Sequence, residues 1–194
     1  MTEDRKGDWM QTYTGRKVWP LDIEPRDVHI EDIAHSLSMQ CRYNGHCLRF
    51  YSVAEHSVLI ARAALPQHKL YALLHDAAEA YLTDVPRPLK PWLVDYYAME
   101  ANADNAIMRR FGLGPQPNSL ASLLDVEAVR SAVKELDERI LVDERAQIMA
   151  PGLRWKGIED VEPLRVVIEG WPPEKAEQEF LFMFHSLTNT KVPE

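Results

Sequence analysis

Apolar residues recur every three or four positions over most of the chain, which is the spacing of amphipathic helices. Strand-like alternation is short and rare. The pattern predicts an all-α bundle that forms a single domain over residues 1–194, with helices over residues 28–37, 52–65, 69–81, 91–111, 120–149 and 174–187. The 120–149 segment is long enough for either one bent helix or two helices. Short strands are predicted at 13–18, as half of an N-terminal hairpin, and at 165–168.

Local signals mark several boundaries of these helices. Ser52 is predicted to cap the helix that follows it, and Glu55 stands at the position that completes a capping box. Two prolines in the 84–88 segment lack the N–H that a helix interior requires, so they must end the helix over 69–81. An Asn-Gly pair predicts a loop within 41–51.

The overall charge narrows the range of partners. Hydrophobic residues make up 46% and charged residues 27% of the chain, as in an ordinary globular protein, and the net charge is −8. A protein that binds duplex nucleic acid normally has a basic face, so we expect no such partner. A small phosphate-bearing molecule can still be held locally by a metal ion and one or two arginines.

The distribution of apolar residues and cysteines bears on location. No apolar run approaches the roughly 20 residues that cross a bilayer, and residues 1–8 lack the apolar stretch of a secretory signal. We therefore expect a cytoplasmic protein with no membrane partner. Cys41 and Cys47 lack the second cysteine pair of a four-thiolate zinc site and are expected to be free thiols.

A His-Asp pair inside an apolar helix is the densest chemical signal. His75 and Asp76 shortly precede Glu79, and small or apolar residues surround all three. Charged groups are rarely buried unless they are paired or bound to a metal, so these groups need a shared partner. Adjacent helical residues point about 100° apart, so His75 and Asp76 could ligate one ion only from a helix end or with a reaching rotamer. Glu79 lies one turn beyond His75 on the same face, where a carboxylate can take a proton from metal-bound water.

Two further residues share this apolar context. His56 lies in the predicted helix over 52–65, and Asp137 lies beside apolar positions of the 120–149 segment. Taken alone, each would ordinarily be a hydrogen-bonded core residue or part of a solvated face. Two imidazoles and two carboxylates together suit a divalent first-row ion. The identity of the ion stays open among Mn, Co, Fe, Ni, Zn and Mg.

The order of these residues resembles a known signature. His56, the His75-Asp76 pair and Asp137 follow the H…HD…D pattern of the HD-domain metal-dependent phosphohydrolases. The stretch HDAAEAYLTDVPRPLK, which begins at His75, is similar to the HDxxE…DxPxPxK segment of the bacterial 5′-deoxynucleotidase branch and its phage and prophage relatives. The resemblance implies an HD-domain helical bundle.

The resemblance extends upstream of the His-Asp pair. Arg42 precedes the EHS motif at residues 55–57 by about the interval seen in that branch, and the similar region covers roughly residues 28–150. The short interval between His56 and His75 resembles a phage- and prophage-like subgroup rather than the deoxynucleotidases themselves. That difference leaves the choice of substrate open.

The resemblance implies one divalent metal ion with four protein ligands, which are His56, His75, Asp76 and Asp137. Asp125 and Asp143 are alternatives to Asp137, which we prefer because Glu144-Arg145 follows it at an interval that resembles the subgroup. HD enzymes with two metals use additional histidines, and none occurs between Asp76 and Asp137, so a single ion is expected.

The same resemblance implies roles for four other residues. Glu79 is similar to a general acid or base, and Asp84 to a residue that orients the attacking water or contacts the sugar. Arg42 resembles a phosphate-binding arginine, and Lys90 is a second candidate on the phosphate side. Whether Glu79 or Asp84 is the acid/base stays open.

The implied function is phosphate removal from (deoxy)nucleotides, with deoxynucleoside 5′-monophosphates as the first expectation. The alternatives are a deoxynucleoside triphosphate phosphohydrolase, a cyclic-nucleotide phosphodiesterase and a non-catalytic nucleotide-binding protein. The expected partner is a small nucleotide substrate, and the chain is expected to form a homo-oligomer whose number of copies the residue pattern leaves open.

Overall fold

The computed structural model describes residues 5–189 as a helical bundle with one short hairpin, in which helical residues make up 57%. This confirms the predicted all-α class and the N-terminal hairpin. The seven α-helices of the described residues are α1 (Ile30–Met39), α2 (Val53–Ala63), α3 (Lys69–Leu74), α4 (Glu79–Leu82), α5 (Val94–Arg110), α6 (Leu120–Ile148) and α7 (Pro173–Thr188). None of them is long and apolar enough to cross a membrane.

The strands of the hairpin lie at other positions than the predicted strand. Strands β1 (Met10–Gln11) and β2 (Lys17–Val18) pair antiparallel, with Met10 opposite Val18. The predicted strand over 13–18 is therefore wrong for its first half, which forms the turn between the strands. The Thr12 N–H donates to the Arg16 carbonyl across this turn at 2.8 Å.

Helix α2 lies at the centre of the bundle. Nine of its residues, Val53 to Ala61, are buried, and it packs against α1, α3, α6 and α7. Its apolar side chains join those of the neighbouring helices, such as Leu73 of α3 and Phe180 of α7, which are completely buried. The polar side chains within this buried stretch, such as Glu55 and His56, are consequently held inside the protein.

The predicted helix over 69–81 is wrong as a single element. Helix α3 ends at Leu74 and α4 begins at Glu79, and the turn between them has hydrogen bonds of the tighter three-residue type, such as Ala77 N–H to the Leu74 carbonyl at 3.0 Å. His75 is therefore the residue that ends α3. The His-Asp pair lies at a helix end, which is one of the two arrangements that allow both side chains to face one point.

The sequence left open whether the 120–149 segment forms one bent helix or two helices. The 120–149 segment forms one helix, α6, of 29 residues. The helix predicted over 91–111 begins only at Val94, after a short 3₁₀ turn at Lys90–Trp92. The strand predicted at 165–168 is wrong, since this segment is irregular and makes no sheet.

Ser52 caps α2 as predicted, because its hydroxyl accepts the Glu55 N–H at 3.0 Å. The predicted second bond of the capping box, from the Ser52 N–H to the Glu55 side chain, is wrong. The completely buried Glu55 carboxylate instead accepts the backbone N–H groups of residues 169–171, and its bond to the Trp171 N–H is 2.7 Å long. Glu55 thus ties the segment before α7 to the central helix.

Replacing Glu55 by Ala should destabilise the fold strongly, because three buried backbone N–H groups would lose their acceptor. We expect the free energy of unfolding to fall by roughly 3 kcal/mol or more, measured by urea denaturation. Glu135→Ala, an exposed site on α6, is the control and should change it by less than about 0.5 kcal/mol. Equal effects of the two changes would contradict this account of the segment.

Candidate metal centre

His56 is completely buried in α2, and each of its ring nitrogens faces a carboxylate. Nδ1 lies 2.8 Å from Oε1 of Glu144, a completely buried residue of α6. An ionised carboxylate can only accept, so Nδ1 carries a hydrogen and Nε2 is the nitrogen left to take a proton or a metal ion. Nε2 lies 3.3 Å from Oδ1 of Asp137 and 3.5 Å from Oδ2 of Asp76.

His75 repeats this arrangement from the end of α3. Its Nδ1 donates to the Ala72 carbonyl at 2.8 Å, which again leaves Nε2 as the nitrogen that can take a proton or a metal ion. That Nε2 atom lies 3.2 Å from Oδ2 of Asp76, and the two imidazole rings are 5.3 Å apart between centroids. Both histidines therefore direct Nε2, the nitrogen that can take a proton or a metal ion, toward the same carboxylates.

These atoms form a group that could hold a metal ion. Donor atoms of His56, His75 and Asp137 all lie within 4.8 Å of one another. The Nε2 atoms of both histidines are buried and have no hydrogen-bond partner. A divalent ion between these nitrogens and the carboxylate oxygens would satisfy both groups, in place of the proton that Nε2 can otherwise take.

The structure brings three of the four predicted ligands into this group, and the fourth, Asp76, lies beside both histidines through its Oδ2. Of the two alternatives to Asp137, Asp125 is exposed on the N-terminal part of α6. Asp143 accepts the backbone N–H of Arg165 at 3.1 Å and so has a structural task. The geometry favours Asp137.

The charges of the group support cation binding. Burial opposes the charge on Asp137, but hydrogen bonding to His56 and its charge outweigh burial and lower the pKa of Asp137 to about 2. Burial likewise lowers the pKa of His75, but the neighbouring Asp76 carboxylate outweighs burial and raises it to about 9. The carboxylates thus attract positive charge strongly enough to hold it inside the protein.

A buried ion pair supports the His56 side of the group. Nε of Arg42 lies 3.2 Å from Oε1 of Glu144, and the Tyr43 hydroxyl donates to the same carboxylate. Burial alone would raise the pKa of Glu144. The nearby charges of Arg42 and His56 have the larger effect, so the pKa of this carboxyl group lies below its usual value. Tyr43 and Asn44 have left-handed backbone conformations, a strained arrangement that these contacts stabilise.

Glu79 and Asp84 lie at the edge of the group. Glu79 begins α4 and is only 7% exposed, and its Oε2 atom is buried without a hydrogen-bond partner. Burial, followed by the charges of Asp76 and Asp84, raises the pKa of Glu79 well above its usual value. Burial also raises the pKa of Asp84. Lys90, the other residue predicted on this side, pairs with Glu100 at 2.7 Å.

A cleft of about 710 Å³ leads to this group. One end is charged and contains Arg42, Asp76, Glu79, Asp84, Arg87, Lys90 and Asp137. The lining also contains apolar and aromatic side chains, those of Tyr43, Leu141, Met149, Trp155 and Ile158, and the exposed Lys156. Every predicted site residue except the two histidines therefore lines one cleft, and the histidines lie directly behind it.

Two proteins resemble this chain in sequence. The uncharacterized protein YfdR of Escherichia coli K12 is 38% identical over 128 residues, which cover 66% of this chain and 72% of YfdR. The chain belongs to the YfdR family. The uncharacterized protein RCAP_rcc00048 of Rhodobacter capsulatus is 40% identical over 118 residues, which cover 56% of this chain and 60% of that protein. No family model matches the chain.

Two residues of the site were not predicted as members of it. Glu144 lies two helical turns after Asp137 on the same side of α6, a spacing that could have marked it as a second inward carboxylate. Arg87 lies in the predicted break after the His-Asp helix, and only the folded loop brings it near Asp137.

Replacing Glu144 by Gln should weaken metal binding, because the amide no longer fixes the His56 ring with a charged acceptor. We expect roughly 10- to 100-fold weaker affinity for a divalent ion, measured by calorimetric titration of the metal-stripped protein. Asp143→Asn is the matched control, since it removes the neighbouring carboxylate and leaves the His56 contact intact. Equal metal affinity in the two variants would show that Glu144 does not position His56.

Proposed function

We propose that this chain is a metal-dependent phosphohydrolase with an HD-type helical domain, and that it removes phosphate from deoxynucleoside 5′-monophosphates. One observation carries the proposal. Two buried imidazole nitrogens without partners face the carboxylates of Asp76 and Asp137 at the charged end of a cleft. A buried site of this composition at the end of a cleft is suited to metal-assisted hydrolysis.

The donor set fits a single divalent ion. His56, His75 and Asp137 would hold it, with Asp76 as the fourth ligand. Imidazole and carboxylate together suit Mn, Fe, Co, Ni or Zn. When bound there, such an ion would supply charge neutralisation for a phosphoryl group and a lowered pKa for water.

Glu79 and Asp84 are the groups that would handle protons. The raised pKa of Glu79 keeps its carboxyl group protonated to higher pH than an ordinary glutamate, so it can donate a proton to the oxygen of the leaving nucleoside. Asp84 is less buried and lines the same end of the cleft, where it can orient the attacking water. Two carboxyl groups in different surroundings can thus take different roles.

The rest of the cleft suits a phosphate joined to a flat organic group. Arg42 and Lys90 line the charged end beside the carboxylates, where they can contact phosphate oxygens. Trp155 lies half-buried in the lining of the cleft, 5.6 Å from the Tyr43 ring between centroids, and offers an aromatic surface to a base. The volume of about 710 Å³ lies within the usual range of small-molecule sites.

The proposal is tested with a panel of deoxynucleoside and ribonucleoside monophosphates, deoxynucleoside triphosphates and cyclic nucleotides. Each is incubated with metal-stripped protein, alone and with Mn²⁺, Co²⁺ or Mg²⁺, and the released phosphate, pyrophosphate and triphosphate are measured. We expect metal-dependent release of phosphate from deoxynucleoside monophosphates. Triphosphate release from triphosphates would instead support the triphosphohydrolase alternative, and no release from any compound would contradict phosphohydrolase activity on nucleotides.

Glu79→Gln should retain the metal and lose activity. The amide keeps the size of the side chain but cannot transfer a proton, so we expect the turnover number to fall by about 10²- to 10⁴-fold. Metal content, measured by elemental analysis, should match that of the unmodified protein. Turnover within a factor of two of the unmodified protein would remove Glu79 from the mechanism.

A further inference from the structure

Positive side chains at the charged end of the cleft differ in how their charge is already used. Arg42 pairs with the buried Glu144, and its guanidinium is only 11% exposed. Lys90 pairs with Glu100 at 2.7 Å. Nη1 of Arg42 also lies 3.6 Å from Oδ2 of Asp76, but its closer partner Glu144 is no proposed metal ligand, and neither is the Lys90 partner Glu100. Both cations would therefore keep a carboxylate partner when the metal site is filled. A phosphate that enters with two negative charges gains less from cations whose charge is already balanced.

Arg87 differs from these two residues in position and partner. It lies in the loop between α4 and α5, between Pro86 and Pro88, whose rings restrict the backbone on both sides. Its side chain is 68% exposed and lines the cleft, and Nη2 lies 3.6 Å from Oδ2 of Asp137. The partner of Arg87 is thus one of the proposed metal ligands.

Metal binding changes the balance of this pair. Asp137 contacts His56 through Oδ1 and Arg87 through Oδ2. If Asp137 held a divalent ion, its negative charge would attract Arg87 less, and the positive charge of the ion would repel the guanidinium. The exposed guanidinium is then left without its partner at the place where a substrate phosphate would lie.

We propose that Arg87 exchanges Asp137 for the phosphate of the substrate once the metal site is filled. Arg87 is then a substrate-binding residue in addition to the residues that the sequence predicted. This inference rests on the proposed function, since it requires a metal on Asp137 and a phosphate in the cleft. A planar guanidinium can bind two phosphate oxygens at once, which suits it to this exchange.

The exchange predicts that Arg87→Gln raises the affinity for Mn²⁺ and lowers the affinity for phosphate. Metal-stripped protein should bind Mn²⁺ more tightly, by roughly 2- to 5-fold, because no arginine competes for Asp137. Protein saturated with Mn²⁺ should bind inorganic phosphate roughly 10-fold or more weakly, because a charged hydrogen-bonding partner is lost. For Arg87→Lys, both affinities should lie between those of Arg87→Gln and the unmodified protein, since lysine keeps the charge but loses the fork of donors.

Calorimetric titration measures both affinities without any catalytic step. Mn²⁺ is titrated into the metal-stripped protein, and inorganic phosphate is titrated into the Mn²⁺-saturated protein. Arg26→Gln is the matched control, because Arg26 is similarly exposed at 65% and pairs with Glu24 outside the cleft. It should leave both affinities unchanged. Lys156→Gln removes an exposed cation of the same cleft and should weaken phosphate binding less than Arg87→Gln does.

Three results would overturn the exchange. Arg87→Gln could leave phosphate affinity unchanged, it could weaken Mn²⁺ and phosphate binding together, or Lys156→Gln could cause the larger loss. Failure of the proposed function is distinguishable from these results. Phosphate binding that depends on Arg87 and on Mn²⁺, in a protein that hydrolyses no nucleotide, would support the exchange and contradict the activity. Nucleotide hydrolysis with unchanged phosphate binding in Arg87→Gln would do the reverse.

Discussion

Glu144 and His56 are both completely buried and lie 2.8 Å apart between Oε1 and Nδ1, and the rest of the site depends on this contact. A buried carboxylate is costly unless it is paired, and Glu144 is paired on one side with His56 and on the other with Arg42. The contact joins α6 to the central helix α2 and to the loop before it. It also leaves Nε2 of His56 as the nitrogen that can take a proton or a metal ion.

The break between α3 and α4 supplies the second half of the site. A continuous helix would point His75 and Asp76 in directions about 100° apart. Because α3 ends at His75 and the next turn is tighter, Asp76 Oδ2 instead lies 3.2 Å from His75 Nε2 and 3.5 Å from His56 Nε2. The same turn begins α4 at Glu79 and leaves that carboxyl group at the edge of the metal group. The local backbone thus positions His75, Asp76 and Glu79, the two proposed ligands and the proposed proton donor.

Periodicity in the sequence predicted the helices well, because each buries apolar side chains against neighbouring helices. It failed where hydrogen bonding rather than burial decides the structure. The apolar spacing of 69–81 does not distinguish an α-helix from two helices joined by a tighter turn. The segment 165–168 has the composition of a strand, but the Ile168 N–H donates to the Gln147 side chain and no second strand lies beside it in the described residues. Glu55 has the spacing of a capping box, yet the N–H groups of 169–171 compete successfully for its carboxylate.

The sequence predicted most of the residues that belong to the site, and the fold shows which of them contact one another. His56, His75 and Asp137 come from three different helices, and only resemblance to a known motif linked them before the structure did. The roles of Glu144 and Arg87 depend on contacts between distant parts of the chain, which no local pattern encodes. Charge balance within the cleft is likewise a property of the folded protein. It distinguishes arginines that look equivalent in the sequence.

The most direct test of the metal site is anomalous diffraction from crystals of this protein grown with Mn²⁺ or Co²⁺, recorded at the absorption edge of the metal. The account predicts one strong peak about 2.0–2.3 Å from Nε2 of His56, Nε2 of His75 and a carboxylate oxygen of Asp137. A crystal saturated with the metal that shows no peak at these atoms, with both histidine rings in their present orientation, would contradict it.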